Sequence, residues 1–144
     1  MSIEGATASE DVIKGIRSYA AAAYPNEGCG ILIGSIAGAS ATIVEATSAR
    51  NLNVERARDR YDLDPADFIR ADREARARRL DIVGFWHSHP DHPARPSATD
   101  TERAWMDYVY IVCHSERDRA TDVNAFTLTG EHGPFVAIPL DSPR

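Results

Sequence analysis

Two histidines and an aspartate in the second half of the chain have the residue types and the spacing of metal ligands. His87 and His89 are separated by one residue and directly follow the apolar run 82–86, and residues two apart on a strand point to the same face. Asp100 follows eleven residues after His89, beyond a loop that contains three prolines, which restrict its conformations. Two imidazoles and one carboxylate leave the fourth tetrahedral position open, which is the pattern of catalytic rather than structural zinc.

A zinc ion in such a site would lower the pKa of a bound water to about 7 and so supply a nucleophile near neutral pH. The His-x-His pair taken alone is weak evidence, however, because histidines at strand ends often make only hydrogen bonds. Spacing alone therefore leaves both interpretations of His87 and His89 open.

The whole segment from His87 to Asp100 resembles the signature of the JAMM/MPN+ zinc metallopeptidases. That signature reads His, Ser, His, seven residues, Ser, two residues, Asp, and here it falls on His87, Ser88, His89, Ser97 and Asp100. The resemblance implies Zn²⁺ as the cofactor, with His87, His89 and Asp100 as its ligands. It also implies that Ser97 hydrogen-bonds the oxyanion of a tetrahedral intermediate, and that Ser88 supports the ligands from the opposite face of the strand.

The same family carries a glutamate far upstream, where a helix leads into a strand, and Glu27 is the matching position. A carboxylate beside the metal can take the proton of the attacking water and return it to the departing amine. The alternative for Glu27 is an exposed glutamate at a loop end, and the alternative for Ser97 is an N-cap of the following helix, a role compatible with the first. His92 does not match the spacing and is left out of the ligand set.

Apolar runs separated by turn and capping residues predict a mixed α/β fold. The resemblance implies a single MPN domain over residues 1–144, similar to cytidine deaminases, with a mixed, mostly antiparallel sheet flanked by two to three helices. Residues 1–8 and 141–144 are expected to be disordered. The predicted elements are a helix from Ser9 to Pro25, a hairpin of 29–36 and 41–46, a helix from Asp64 to about Arg79, a strand at 82–86, a helix capped by Ser97 or Thr99 that includes Trp105 and Met106, and strands at 108–114, 123–129 and 135–140.

Composition narrows the class of protein further. A net charge of -6 argues against a nucleic-acid binder, and arginines at near-helical spacing in 70–79 are typical of a solvated helix face or a docking surface. No apolar stretch approaches the roughly 20 residues that span a membrane. Cys29 and Cys113 lie in apolar runs and are expected to be buried and reduced, so a cytoplasmic location is the default.

The resemblance extends to Asn51 and to the segment 61–65, which are similar to compact bacterial members of the Mec type. Such members act on small ubiquitin-like sulfur-carrier proteins, releasing an amino acid such as cysteine or trimming residues from a C-terminal Gly-Gly tail. The expected state is a monomer or weak homodimer. Two alternatives stay open: a deubiquitinase-like isopeptidase on other ubiquitin-like conjugates, and a non-catalytic MPN scaffold. A zinc deaminase would need a Pro-Cys-x-x-Cys segment, which the chain lacks.

Overall fold

A mixed eight-stranded sheet and three helices form the framework, and the computed structural model describes residues 3–143 of the chain. The elements are β1 Gly5–Ala8, α1 Glu10–Ala23, β2 Cys29–Ala37, β3 Ser40–Ala46, α2 Pro65–Ala77, β4 Asp81–Pro90, α3 Ala98–Arg103, β5 Val109–Glu116, β6 Arg119–Leu128, β7 Phe135–Ile138 and β8 Leu140–Asp141.

The strands lie in the order β7-β6-β5-β4-β2-β3-β1-β8. Pairs β1–β3, β1–β8 and β4–β5 are parallel, and the other four neighbouring pairs are antiparallel. The prediction of a mixed α/β fold with a mostly antiparallel sheet is therefore confirmed. Strand β4 lies near the middle and is hydrogen-bonded along both edges, with His87 in register with Cys29 of β2 and Val112 of β5.

Alternate residues of the central strands pack against different helices. Leu32 and Trp86 belong to the core cluster that includes the apolar face of α1. Ile31 and Phe85 belong to the cluster that includes Ala71 and Ala75 of α2. Because side chains alternate between the two faces of a strand, the residues at 87 and 89 lie on the same face as Phe85.

Two helices begin where the sequence predicts and the third is shorter than expected. Ser9 caps α1 by accepting a hydrogen bond from the Val12 amide, and Asp64 caps α2. Helix α3 ends at Arg103 and does not include Trp105 or Met106. The reason is that Ala104 is extended and the amide of Trp105 donates to the hydroxyl of Tyr110 at 2.8 Å instead of to a helix carbonyl.

The prediction that residues 1–8 are disordered is wrong for residues 3–8. Strand β1 pairs in parallel with β3 and β8, and Ile3, Ala6 and Ala8 are buried. At the other terminus Asp141 belongs to β8, while Met1, Ser2 and Arg144 lie outside the described residues. Among residues 3–143, none of the helices combines the length and the apolar character that a membrane span needs.

Candidate metal centre

Strand β4 places the two histidines side by side. It runs four residues past its predicted end, so His87 and His89 lie inside the strand, and their Nε2 atoms are 3.2 Å apart. Nδ1 of His89 donates to the carbonyl of Pro93 at 3.0 Å, which leaves Nε2 as the atom with a free lone pair. The ring of His87 stacks on Tyr61 with centroids 4.8 Å apart. Both imidazoles are buried and orient their Nε2 atoms toward one point.

Asp100 reaches the same point from the first turn of α3. Its Oδ2 lies 3.0 Å from the Nε2 atom of each histidine. The carboxylate is held by a reciprocal pair of capping bonds, since the Ser97 amide donates to Asp100 Oδ2 at 2.8 Å and the Asp100 amide donates to Ser97 Oγ at 3.1 Å. Burial acts to raise the pKa of Asp100, but its close contacts with His87 and His89 outweigh it and hold that pKa well below its usual range.

The spacing of these three atoms fits a small tetrahedral ion. Zinc bonds of about 2.0–2.1 Å in tetrahedral geometry put neighbouring ligand atoms roughly 3.3 Å apart. The three observed separations are 3.0, 3.0 and 3.2 Å. Nitrogen and carboxylate oxygen are also the donor types that zinc accepts, so the set fits a metal by distance and by chemistry.

Glu27 faces the histidines from the loop between α1 and β2. Ligating atoms of Glu27, His87 and His89 all lie within 4.8 Å of one another, and these three buried residues could hold a metal ion. Oε1 of Glu27 is buried, and no hydrogen-bond partner faces it among residues 3–143. Burial raises the pKa of Glu27 to about 8. A buried, unpartnered carboxyl oxygen is costly unless a cation or a bound molecule satisfies it. The environment of Glu27 therefore also supports a metal site here.

Ser88 and Ser97 have distinct structural roles. Ser88 is buried on the face opposite the ligands, where its Oγ accepts a hydrogen bond from the Gly28 amide at 2.8 Å and so connects β4 to the Glu27 loop. Ser97 is exposed and caps α3. Because its Oγ acts as the acceptor in that cap, its hydroxyl hydrogen remains free to donate; the contact with an oxyanion stays a prediction.

The structure adds Asn51 and Tyr61 to the surroundings of the site. Asn51 Nδ2 donates to the carbonyls of Glu27 and Arg60 at 3.2 and 3.0 Å, and its Oδ1 accepts from the amides of Asn53 and Asp62. From sequence, Asn51 stands out only by its likeness to the family, since no spacing rule links it to a residue 24 positions away. The excluded His92 is exposed, and its carbonyl accepts from His114 Nδ1 at 2.7 Å.

Comparison with known proteins places this arrangement in a family. The family described as prokaryotic homologs of the JAB domain matches residues 9–129. The chain belongs to this family. The signature from His87 to Asp100 had predicted the same relationship, which is now confirmed.

Individual relatives agree with the family match. A curated protein from Haloferax volcanii named desampylase is 38% identical over 109 residues, covering 75% of this chain and 76% of the relative. A solution structure of a protein from Desulfitobacterium hafniense has a TM-score of 0.80 at 25% identity and covers 96% of this chain and 94% of its own. A second solution structure, from Salinibacter ruber, has a TM-score of 0.75 at 34% identity, with 95% and 91% covered. Family and relative together identify a hydrolase of the JAMM type.

Proposed function

We propose that this JAB-domain protein is a zinc-dependent peptidase that cuts after the C-terminal Gly-Gly tail of a small ubiquitin-like sulfur carrier, releasing an amino acid such as cysteine or trimming the tail. The observation that carries the proposal is that Glu27 and Asp100 both lie close to the buried imidazoles of His87 and His89. The desampylase name of the Haloferax volcanii relative supports a substrate among ubiquitin-like modifiers. A cytoplasmic location belongs to the proposal, supported by the free, buried thiols of Cys29 and Cys113.

His87, His89 and Asp100 would hold the zinc ion. When bound, it would polarise the scissile carbonyl and acidify a water molecule. The chain's own residues would then provide orientation and proton transfer. The Pro93 carbonyl and the stacked ring of Tyr61 fix the two imidazoles, and the cap at Ser97 fixes the Asp100 carboxylate.

Glu27 is the proposed proton carrier. It is buried within 4.8 Å of the histidines and has an unpartnered oxygen, so its carboxylate can accept the proton of the attacking water. The same group, once protonated, can give that proton to the departing amine. Its position is kept by two backbone contacts, from the Glu27 amide to the Ala57 carbonyl at 2.6 Å and from Asn51 to the Glu27 carbonyl.

Ser97 is the proposed donor to the oxyanion. Its hydroxyl accepts from the Asp100 amide and retains a hydrogen to donate. Removing one oxyanion donor slows related hydrolyses by about 10²–10³-fold. The capping role and the catalytic role use different parts of the same hydroxyl, so one residue can serve both.

The substitution Glu27→Gln tests the assignment of the proton carrier. We expect the zinc content to stay at one ion per chain while kcat falls by roughly 10²–10⁴-fold, the usual range for loss of general acid–base catalysis. Glu131→Gln, at an exposed loop position, is the matched control and should leave both values unchanged. Unaltered kcat in the zinc-loaded Glu27→Gln variant would remove Glu27 from the mechanism.

The substrate class needs a separate assay. Zinc-loaded protein is incubated with candidate carriers that end in Gly-Gly followed by one further residue, and mass spectrometry measures loss of that residue. A second set carries the Gly-Gly tail on a lysine side chain, which tests the deubiquitinase-like alternative. Cleavage of neither set with zinc bound would favour the scaffold alternative.

A further inference from the structure

A cavity with aromatic walls opens beside the metal centre. It has a volume of about 360 Å³ and is bordered by His87 and Asp100 on the side of the site. Its apolar walls are provided by the following side chains: Tyr61, Leu63, Phe85, Trp105 and Tyr110. We call these five residues and the space between them the aromatic pocket. Its volume is at the lower end of the range for small-ligand sites, about 300–1,000 Å³, and is suited to one side chain rather than to a folded surface.

The two arginines that border the aromatic pocket already pair with carboxylates. Arg103 pairs with Asp62 and also donates to the Tyr61 carbonyl at 3.1 Å. Arg60 lies 3.7 Å from Asp59, and Asp100 is bonded to the two histidines. An acidic or basic guest would have to compete with these pairs and would lose its own hydration on entry. The aromatic pocket therefore suits an uncharged, apolar guest.

Trp105 forms a partly open wall of the aromatic pocket. Its backbone amide is fixed by Tyr110, and its ring meets Phe85 edge-on with centroids 6.3 Å apart, yet 62% of the residue is exposed. An indole that is anchored at its backbone but largely exposed gains from an apolar partner. A guest in the aromatic pocket would supply that partner.

The chemistry of the proposed substrate decides which side of the cleaved bond this pocket serves. The two glycines before the bond carry no side chain, so among the residues next to the bond only the leaving one offers a group to fill a cavity of about 360 Å³. Resting on the proposed function, we infer that the aromatic pocket binds the side chain of the residue that follows the scissile peptide bond, and that it favours large apolar residues such as phenylalanine, leucine or methionine over the smaller cysteine.

Carriers that differ only in the residue after Gly-Gly test this inference. We expect kcat/KM for release of phenylalanine, leucine or methionine to exceed that for aspartate, glutamate or lysine by at least ~10-fold, the scale of discrimination that one apolar contact supplies. Ala104 also lines the cavity, so Ala104→Leu should fill part of it. That variant should slow release of phenylalanine by ~10-fold or more while release of alanine changes little.

Ala22→Leu, at an exposed position of α1, is the matched control and should preserve the preference. Equal rates for all carriers in the unsubstituted protein would overturn the inference and leave the proposed function intact. Equal slowing of phenylalanine and alanine release by Ala104→Leu would also overturn it, because that result describes a general structural defect.

A binding measurement separates failure of the inference from failure of the proposed function. The peptides Ala-Gly-Gly-Phe and Ala-Gly-Gly-Asp are titrated while tryptophan emission is recorded. The phenylalanine peptide should cover the Trp105 indole and shift its emission to shorter wavelength, the aspartate peptide should not, and Trp105→Phe should abolish the response. If no carrier is cleaved, the proposed function fails, and the difference in emission between the two peptides alone tests the inference. A shift with the phenylalanine peptide only would support binding in the aromatic pocket, and the absence of that difference would refute it.

Discussion

The histidines and the carboxylates of the candidate site are held in different ways. His87 and His89 lie within β4, which is hydrogen-bonded to β2 on one side and to β5 on the other. Glu27 and Asp100 lie outside the sheet, one in a loop and one in the first turn of a six-residue helix. The histidine positions therefore follow from the sheet, whereas the carboxylate positions depend on a few polar contacts.

This difference separates stability from function. Disrupting the sheet at β4 should unfold the protein, because β4 belongs to the core. Disrupting the contacts of Glu27 or Asp100 should alter metal affinity or activity while the fold persists, since hydrogen bonds that orient the ligands of a metal typically account for about 10–100-fold in metal affinity. Five substitutions test the contrast, from the largest expected effect to the smallest.

Gly84→Ala should cause the largest loss of stability. A Cβ at Gly84 would lie 1.9 Å from the Val109 carbonyl oxygen, so β4 and β5 would have to separate. We expect a loss of about 3 kcal/mol or more in the free energy of unfolding, measured by chemical denaturation. Gly15→Ala in α1 is the control, because nothing lies within 4 Å of its added Cβ. That change should stabilise the helix by about 0.5–1 kcal/mol. Similar stabilities for the two variants would contradict the role given to the β4–β5 contact.

Ser88→Ala should weaken the connection between β4 and the Glu27 loop, because it removes the side-chain bond and leaves the bond from the Ser88 amide to the Gly28 carbonyl at 3.0 Å. The variant leaves the amide of Gly28 without its side-chain acceptor, and a buried unsatisfied donor costs about 1–3 kcal/mol. Activity should fall further than zinc affinity, because the loop that loses its hydrogen bond carries Glu27, whereas the histidines stay in β4. Ser115→Ala is the matched control: Ser115 Oγ is buried without a partner among residues 3–143, so its removal should be neutral or stabilising. Equal losses of stability and activity in both serine variants would argue against a specific role for the bond between Ser88 Oγ and the Gly28 amide.

The positions of His87, His89 and Asp100 could largely be predicted from sequence, because local rules determine them. Alternation along a strand puts His87 and His89 on one face, and the Ser97–Asp100 spacing of a capping box places the aspartate at a helix start. The contacts of the Glu27 loop could not be predicted, since Asn51 bonds Glu27 across 24 residues and Ser88 bonds Gly28 across 60. Strand β1 was missed for a similar reason. Its four residues are Gly-Ala-Thr-Ala, and they become a strand only through β3 and β8, which are distant in sequence.

Asp67→Asn tests a carboxylate that holds the backbone next to Asn51, the residue that bonds the Glu27 carbonyl. The test is the pH dependence of the stability of the variant. The carboxylate accepts from the Arg50 amide at 2.8 Å and pairs with Arg70, and these contacts lower the pKa of Asp67. A lowered folded pKa gives stability that is present above the unfolded value, about 3.9, and is lost as pH falls through the folded value. We expect the variant to be about 1.5 kcal/mol less stable at pH 7. The difference should shrink as the pH drops below about 4, and a difference independent of pH would exclude the charge as its cause.

Ser97→Ala should loosen Asp100 with little effect on the rest of the fold. Losing an N-cap costs about 1 kcal/mol, and here the loss falls on the helix turn that carries a proposed ligand. We expect zinc affinity, measured by competition with a chelator, to fall about tenfold. Ser9→Ala removes the same type of cap from α1, away from the site. It should cost similar stability and leave zinc affinity unchanged, so a parallel loss of affinity would show that the effect is not local.

Arg76→Ala should have the smallest effect and sets the baseline for the comparison. Arg76 and Asp72 form an i,i+4 pair on α2 whose side chains are 76% and 36% exposed. Exposed pairs of this kind contribute about 0.3–0.5 kcal/mol and are screened by salt. We therefore expect a loss below about 0.5 kcal/mol that vanishes in high salt, with zinc affinity and activity unchanged. The known contacts of α2 with the core are made by its buried face, where Ala71 and Ala75 pack in the same cluster as Phe85. A larger loss of stability, or any change in zinc affinity, would therefore mean that the exposed face of α2 also supports the site.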